Sequence, residues 1–249
     1  MPAGRGRLGL VAATIVVGAA GVASAQPARA IDVPEAEPAT THLLAGIDHR
    51  GVPMVDAAVG LGDLATVGLT LDDRIAVGGG AAAASSEPML AAWFRLGVPA
   101  DLLGRGAPAV VLDLERSVDE RLRRAGRRGT PFAELRLLAT RRVAGTRIGQ
   151  LSLTAGVTLA DAAPHLAPSL RPAAALGWTP RRYPRTTLLA DVGWAVRVVD
   201  EVPAVAGAIG WGVRYQVART FHIDLAVRHR ADVGLEGSTV MVRGLITPP

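Results

Sequence analysis

The residues whose types could most plainly carry out chemistry lie close together near the C-terminus. His222, Asp224 and Arg228 are spaced by even numbers, so an extended strand would place all three on one face. A His-x-Asp pair is one possible start for a metal site or a proton relay. Such a site needs further ligands, and no second histidine lies beside this pair on that face. The other histidines are His42, His49, His165 and His229. A polar stripe along one strand explains the three residues better than a metal site.

Other candidate chemistry depends on acidic pairs and serines. Asp72-Asp73, and Asp113 with Glu115, have the residue types of a calcium site or a glycosidase pair. Lone pairs near strand ends are more often solvated turns. Ser85-Ser86 lacks the G-x-S-x-G context of a nucleophile elbow. We therefore expect no catalytic residue, no metal ligand and no cofactor, and a protein that is not an enzyme. An exported hydrolase remains the least supported alternative.

A glycine-rich fragment, Gly60-Leu61-Gly62-Asp63-Leu64-Ala65, comes close to a dinucleotide-binding fingerprint. That motif needs a strand before it and a helix after it. The pattern after Ala65 is that of a strand, so these glycines predict a hairpin or a bulge.

The charge balance argues against nucleic acid as a partner. The chain has 27 basic residues against 22 acidic ones, and every basic residue is arginine. The absence of lysine and asparagine indicates a high-GC bacterial genome rather than a functional choice. The excess is small and dispersed, without a basic face interleaved with aromatic residues. The arginines of 121–128 favour a solvated loop, with contacts to lipopolysaccharide phosphates as the alternative.

The N-terminus has the features of a secretory signal. Arg5 and Arg7 precede an uncharged apolar run, and Ala23-Ser24-Ala25 forms a small-x-small cleavage pattern. A second pattern ends at Ala30, so cleavage is expected after Ala25 or Ala30. An N-terminal anchor is the alternative, but the run is shorter than the roughly 20 residues that a spanning helix needs. We predict Sec-type export, a signal peptide at 1–25 and a flexible leader at 26–40.

From residue 41 onward the dominant pattern is alternation of apolar and polar residues, which is typical of strands with one apolar face. Short turn signals separate the apolar runs, which favours antiparallel neighbours. These patterns therefore predict one all-β domain at 41–249. It has about 12 strands (range about 10–14) and a charged loop at 115–130. The candidate strands of the first half are 42–49, 52–61, 64–71, 74–83, 88–97, 107–115 and 132–143.

A meander with one apolar face has two common solutions. In a soluble barrel or sandwich the apolar face points inward, whereas in a membrane barrel it points outward to lipid. The opposite face here is rich in glycine, alanine, serine and threonine with scattered charges, as in 150–158. A solvent-exposed face would carry more charge, so the composition favours a membrane barrel.

In these features the chain resembles bacterial outer-membrane β-barrel proteins as a class. The resemblance covers Thr41 to Ile246 and implies an antiparallel up-and-down β-barrel with short periplasmic turns and longer external loops. It also implies outer-membrane lipid and the barrel-assembly machinery as partners. The residues predicted to face the lumen are Asp191, Arg197, Arg214, Gln216, His222, Asp224, Arg228 and Arg230. The residues predicted to face lipid are Trp194, Trp211, Tyr215 and Phe221.

Two functions remain open at this point. The first is an outer-membrane β-barrel of a Gram-negative bacterium with a structural or passive-transport role. The alternative is a soluble periplasmic β-barrel or sandwich that binds an apolar ligand. It is motivated by the few aromatic residues and by the C-terminal Thr247-Pro248-Pro249, which lacks a terminal aromatic.

Overall fold

The computed structural model describes residue 33 and residues 39–72, 75–77, 89–104, 106–118, 133–161, 169–199, 202–231 and 238–248. The predicted signal peptide lies outside the described residues, as do most of the predicted leader and most of the predicted charged loop. In the described part of the chain no helix is long and apolar enough to cross a membrane.

The described residues form β-strands and one short helix. α1 (Ala100–Leu103) lies in a connection between two strands and was not predicted. The strands are β1 (His42–Asp48), β2 (Pro53–Leu61), β3 (Ala65–Asp72), β4 (Ile75–Val77), β5 (Met89–Val98), β6 (Ala109–Ser117), β7 (Ala133–Thr146), β8 (Gly149–Asp161), β9 (Ser169–Pro180), β10 (Thr186–Val199), β11 (Val202–Ala218), β12 (Phe221–Arg230) and β13 (Ser238–Ile246).

Twelve of the strands in the described ranges, all except β4, close into one antiparallel barrel. Successive strands pair with each other around the wall, and β1 pairs with β13, with Leu43 opposite Ile246. Closure removes the free edges that an open sheet would expose. The predicted all-β up-and-down barrel of about 12 strands is confirmed.

The barrel buries its polar face and exposes its apolar face. In β12, His222, Asp224 and Arg228 are buried, whereas Ile223 and Leu225 are 41% and 55% exposed. The same alternation runs along β13, because side chains of successive residues point to opposite sides of a sheet. The charged side chains therefore lie in the lumen, and the apolar side chains cover the outside.

Turn residues explain where several strands end. β2 and β3 are joined by a turn in which Gly62 has a φ of +63°, a conformation that glycine adopts without steric cost. The fragment that begins at Gly60 is thus part of a hairpin and not of a nucleotide site. At the first turn, Asp48 accepts hydrogen bonds from the backbone N–H groups of Arg50 and Val52 and from the Arg50 guanidinium.

The structure departs from the predicted boundaries at two places. The strand predicted at 74–83 is described only for Ile75–Val77, which pairs in parallel with β10 and does not belong to the antiparallel wall. The loop predicted at 115–130 begins later, because β6 continues to Ser117. Glu115 is buried in that strand, where an ion pair compensates its charge.

Candidate functional site in the barrel lumen

One buried ion-pair network spans β11, β12 and β13. Arg214, Asp224 and Arg243 lie directly opposite one another in the register of these strands. Arg214 donates two hydrogen bonds to Asp224, from Nε at 2.7 Å and from Nη2 at 2.8 Å. Arg243 Nη2 donates a third at 3.0 Å. Paired, charge-assisted hydrogen bonds of this kind are about twice as strong as neutral ones. This cluster, the β12 network, carries two cations and one anion.

A second network lies on β5, β6 and β7. Asp113 accepts from Arg95 Nη2 at 3.1 Å and from Arg136 Nη1 at 3.4 Å. Arg136 Nη2 also donates to Glu115 at 2.6 Å and forms an ion pair with Glu134. This cluster, the β6 network, carries two cations and three anions, the reverse balance of the first network.

The two networks face each other across the lumen. In the strand order, β12 and β6 are six strands apart in either direction around the twelve-stranded wall. The β12 network has a formal excess of one positive charge, and the β6 network has an excess of one negative charge. Together they hold four arginines and four carboxylates, so the two sum to zero. The two walls that carry these networks therefore differ in the sign of their networks' formal charge.

A third polar cluster centres on Asp56 in β2. Its carboxylate accepts hydrogen bonds from Thr70 Oγ1 at 2.7 Å and Trp93 Nε1 at 3.1 Å, and it contacts His42 Nε2 at 3.1 Å. The His42 ring stacks on Trp93, and the Arg95 guanidinium lies 5.1 Å from the centre of the Trp93 ring. These contacts link the Asp56 cluster to the β6 network.

A residue that precedes the barrel also lies inside it. Val33 is 4% exposed, and its backbone N–H donates to Asp191 Oδ2 at 3.0 Å. Its neighbours in the apolar cluster are inward-facing residues of β6, β7 and β9, namely Val111, Leu138, Ala173 and Ala175. Val33, which belongs to the predicted leader, therefore occupies part of the lumen.

The residues predicted to face the lumen are placed as follows. Asp191, Arg214, His222, Asp224 and Arg228 are buried inside the barrel. Gln216 and Arg230 are half-buried. The backbone of Arg197 is part of β10, and its side chain lies outside the described residues. The structure brings Arg214 and Asp224 into one cluster. Asp191 lies on β10 and accepts the hydrogen bond from the backbone N–H of Val33.

Of the residues predicted to face lipid, Trp211 and Tyr215 are 48% and 47% exposed on the outside of β11. Trp194 and Phe221 are half-buried.

Several lumen residues were missed from the sequence, namely His42, Asp56, Arg95, Glu115, Glu134, Arg136 and Arg243. A signal was present, because the alternation in the candidate strands 88–97 and 132–143 places Arg95 and Arg136 on the polar face. The acidic pair Asp113 and Glu115 was considered as a calcium or glycosidase pair, but Arg136 bridges the two carboxylates. No group of three or more potential metal ligands occurs among the residues that the structure describes.

Comparison with known proteins adds one finding. No family model matches the chain, and none of the curated proteins matches it. Among solved structures, the chain is similar to the translocator domain of the autotransporter NalP from Neisseria meningitidis. The identity is 12% with a TM-score of 0.40, over 85% of this chain and 87% of that one. The closed twelve-stranded antiparallel barrel itself confirms the fold that the resemblance to outer-membrane β-barrel proteins implies.

Proposed function

We propose that the protein is an outer-membrane β-barrel with a structural or passive-transport role and no catalytic activity. The observation that carries the proposal is the polarity of the wall, which is charged inside and apolar outside. Leu137 of β7 and Leu225 of β12, for example, are 50% and 55% exposed, whereas Arg136 and Asp224 beside them in the sequence are buried. Burying the exposed apolar surface in lipid is favourable, at roughly 25 cal/mol per Å².

The same observation disfavours the soluble alternative. A periplasmic barrel that binds an apolar ligand would line its interior with apolar residues and would expose polar ones. Here the interior contains the β12 and β6 networks. A ligand without charges would leave these charged groups in an apolar cavity. In a water-soluble barrel the apolar side chains on the outside would face water, whereas large exposed apolar patches mark a membrane or protein contact.

The lumen supports a narrow or closed passage. Barrels of this strand number have limited interior space, and here arginine side chains and Val33 occupy it. Any solute that passes must be small and polar, and the opposed charges of the two walls would orient a solute that carries both signs. Conductance measured in a planar bilayer separates a permeable lumen from a purely structural barrel.

Tryptophan fluorescence tests the membrane placement. In vesicles whose acyl chains are brominated, a variant that keeps only Trp211 should be strongly quenched, because its indole is on the outside of the barrel. A variant that keeps only Trp93 is the matched control, since that indole is 6% exposed and bonded to Asp56 in the lumen. Equal quenching of the two, or purification from the periplasm without detergent, would refute the proposal.

A further inference from the structure

Three turns at one end of the barrel carry exposed arginines. Every second connection of an up-and-down barrel lies at the same end, so the β7–β8, β9–β10 and β11–β12 turns are neighbours there. We call their five arginines the basic rim, and all five are exposed: Arg147, Arg181, Arg182, Arg185 and Arg219. The basic rim therefore follows the wall from β7 to β12 at that end.

The basic rim is not neutralised by the described residues around it. The three turns contain no acidic residue, and none of the five arginines forms an ion pair within the part of the chain that the structure describes. The arginines of the β12 and β6 networks, by contrast, are paired with carboxylates inside the lumen. The basic rim therefore presents five positive charges to its surroundings.

The other side of the same end carries charge of the opposite sign. The β2–β3 turn and α1 lie there, with Asp63 and Asp101 exposed. Neither 62–64 nor 100–103, which the structure describes, contains an arginine. Among the described connections at this end, the positive charge is therefore confined to the arc from β7 to β12, and a negatively charged partner would bind along that arc.

Two apolar side chains are exposed between these arginines. Ile148 in the β7–β8 turn is 61% exposed, and Tyr183 in the β9–β10 turn is 58% exposed. The Arg182 guanidinium lies 5.9 Å from the centre of the Tyr183 ring. Trp178 Nε1 donates a hydrogen bond to the Ile148 carbonyl oxygen at 3.0 Å, which links the two turns. The basic rim therefore combines cations with exposed apolar groups.

The exposed apolar face of the wall ends at the basic rim. Leu188, shortly after Arg185, is 39% exposed, and Val217, shortly before Arg219, is 46% exposed. The outer surface thus changes from apolar to cationic over a few residues, and Trp178 lies at this boundary. A phospholipid leaflet likewise changes from acyl chains to charged headgroups, and tryptophan and tyrosine are enriched where it does so. This order of groups fits a lipid leaflet better than the face of an acidic protein.

We propose that the basic rim binds the phosphate groups of anionic phospholipids in the leaflet that surrounds this end of the barrel. The inference rests on the proposed membrane function and adds the class of lipid and its position. A guanidinium group presents a planar fork of N–H donors that matches two phosphate oxygens. Because five cations share one arc without an acidic residue in their turns, a headgroup with a net negative charge is preferred to a zwitterionic one. Ile148 and Tyr183 then pack against the upper part of the acyl chains.

Local enrichment of lipid at Trp178 tests the proposal. A variant that keeps only this tryptophan is folded into vesicles of phosphatidylglycerol and phosphatidylcholine in equal amounts, and the same minor share of lipid is brominated in either the anionic or the zwitterionic component. Without selection, the two preparations quench Trp178 equally. We expect brominated phosphatidylglycerol to quench it about twofold more strongly, because the basic rim concentrates that lipid nearby. Roughly 1 M salt should abolish the difference, since it screens exposed charges.

Substitutions assign the effect to the charges of the basic rim. Arg147→Gln, Arg181→Gln, Arg182→Gln and Arg185→Gln together should make quenching by the two lipids equal. Lysine at the same four positions keeps the charge and should retain most of the difference. Arg116 is also exposed but lies on β6 toward the opposite end of the barrel, so Arg116→Gln is the matched control and should leave the difference unchanged.

The outcomes separate the basic rim from the proposed function. No quenching of Trp178 by either brominated lipid would overturn the membrane placement and this proposal with it. Strong and equal quenching by both lipids would overturn the lipid selectivity alone, and it would leave an acidic protein as the partner of the basic rim. A fourfold glutamine variant that keeps the twofold difference would also overturn the selectivity of the basic rim. Quenching by the brominated zwitterionic lipid shows for each variant that the barrel is folded in the membrane.

Discussion

Asp224 is the residue on which the β12 network depends. Its side chain is fully buried, and its carboxylate forms ion pairs with both Arg214 and Arg243. Removing one partner of a buried ion pair is far more costly than the net gain from forming it, because the remaining charge stays buried without compensation. Two guanidinium groups share this one carboxylate, so its loss affects both.

We expect Asp224→Asn to lower the free energy of unfolding by about 3–5 kcal/mol. The amide keeps the shape of the side chain and loses the charge that pairs with both arginines. The measurement is urea-induced unfolding of the reconstituted protein, followed by tryptophan fluorescence.

Asp63→Asn is the matched control for this prediction. Asp63 is exposed in the turn between β2 and β3, and the same chemical change there should alter stability by no more than about 0.5 kcal/mol. Similar effects at the two positions would show that the β12 network does not hold the wall together.

At the scale of the strands, stability depends on how closely neighbouring backbones approach. Gly156 in β8 lies opposite Leu138 in β7. A Cβ atom at this position would meet the carbonyl oxygen of Leu137 and atoms of Leu138 well inside van der Waals contact. Glycine is therefore required here by close packing and not by an unusual backbone conformation.

Gly156→Ala should destabilise the barrel by about 1–3 kcal/mol, since β7 and β8 must move apart to admit the methyl group. Gly207→Ala in β11 is the control, because the nearest atom to its added Cβ belongs to the Trp194 ring at 3.7 Å, an ordinary contact. Thermal unfolding in detergent micelles measures both variants. A Gly156→Ala protein as stable as the control would contradict the packing argument.

At the scale of the whole molecule, exposed apolar side chains cover the outside of the barrel, and the proposed function places them in lipid. Leu225 lies in the middle of β12 and is 55% exposed, and Leu61 at the end of β2 is 50% exposed. In a soluble barrel, a charge introduced at either position would have a similar effect on stability. In a membrane barrel the two effects would differ, because the cost of a charge depends on its depth in the bilayer.

Leu225→Arg should therefore make folding into lipid less favourable by about 2–4 kcal/mol, whereas Leu61→Arg should make it less favourable by about 0–1 kcal/mol. Folding from urea into lipid vesicles, followed by the mobility difference between folded and unfolded protein in gels, measures the effect. Two small and equal effects would favour a water-exposed surface.

Much of the fold was predictable from local patterns. The alternation around His222 and Ile223 assigned each residue to a face, because the period of a strand is two. The same rule placed Trp211 and Tyr215 together on the face opposite Arg214. The boundaries of β4 and the start of the charged loop were less accurate, because they depend on partners that are distant in the sequence. The strand at 74–83 was predicted as part of the wall, whereas Ile75–Val77 pairs with the edge of β10.

The sequence by itself determined the two faces of each strand and the antiparallel order, because side-chain alternation and short turns are local properties. Only the tertiary structure decided which acidic residue holds which arginine. Asp113 lies between Arg95 and Arg136 because the pairing registers of β5 with β6 and of β6 with β7 place the three residues opposite one another. It also decided that the ladder between β9 and β10 ends at the pair of Ala174 with Val192, since the pairing of two strands is not a local property.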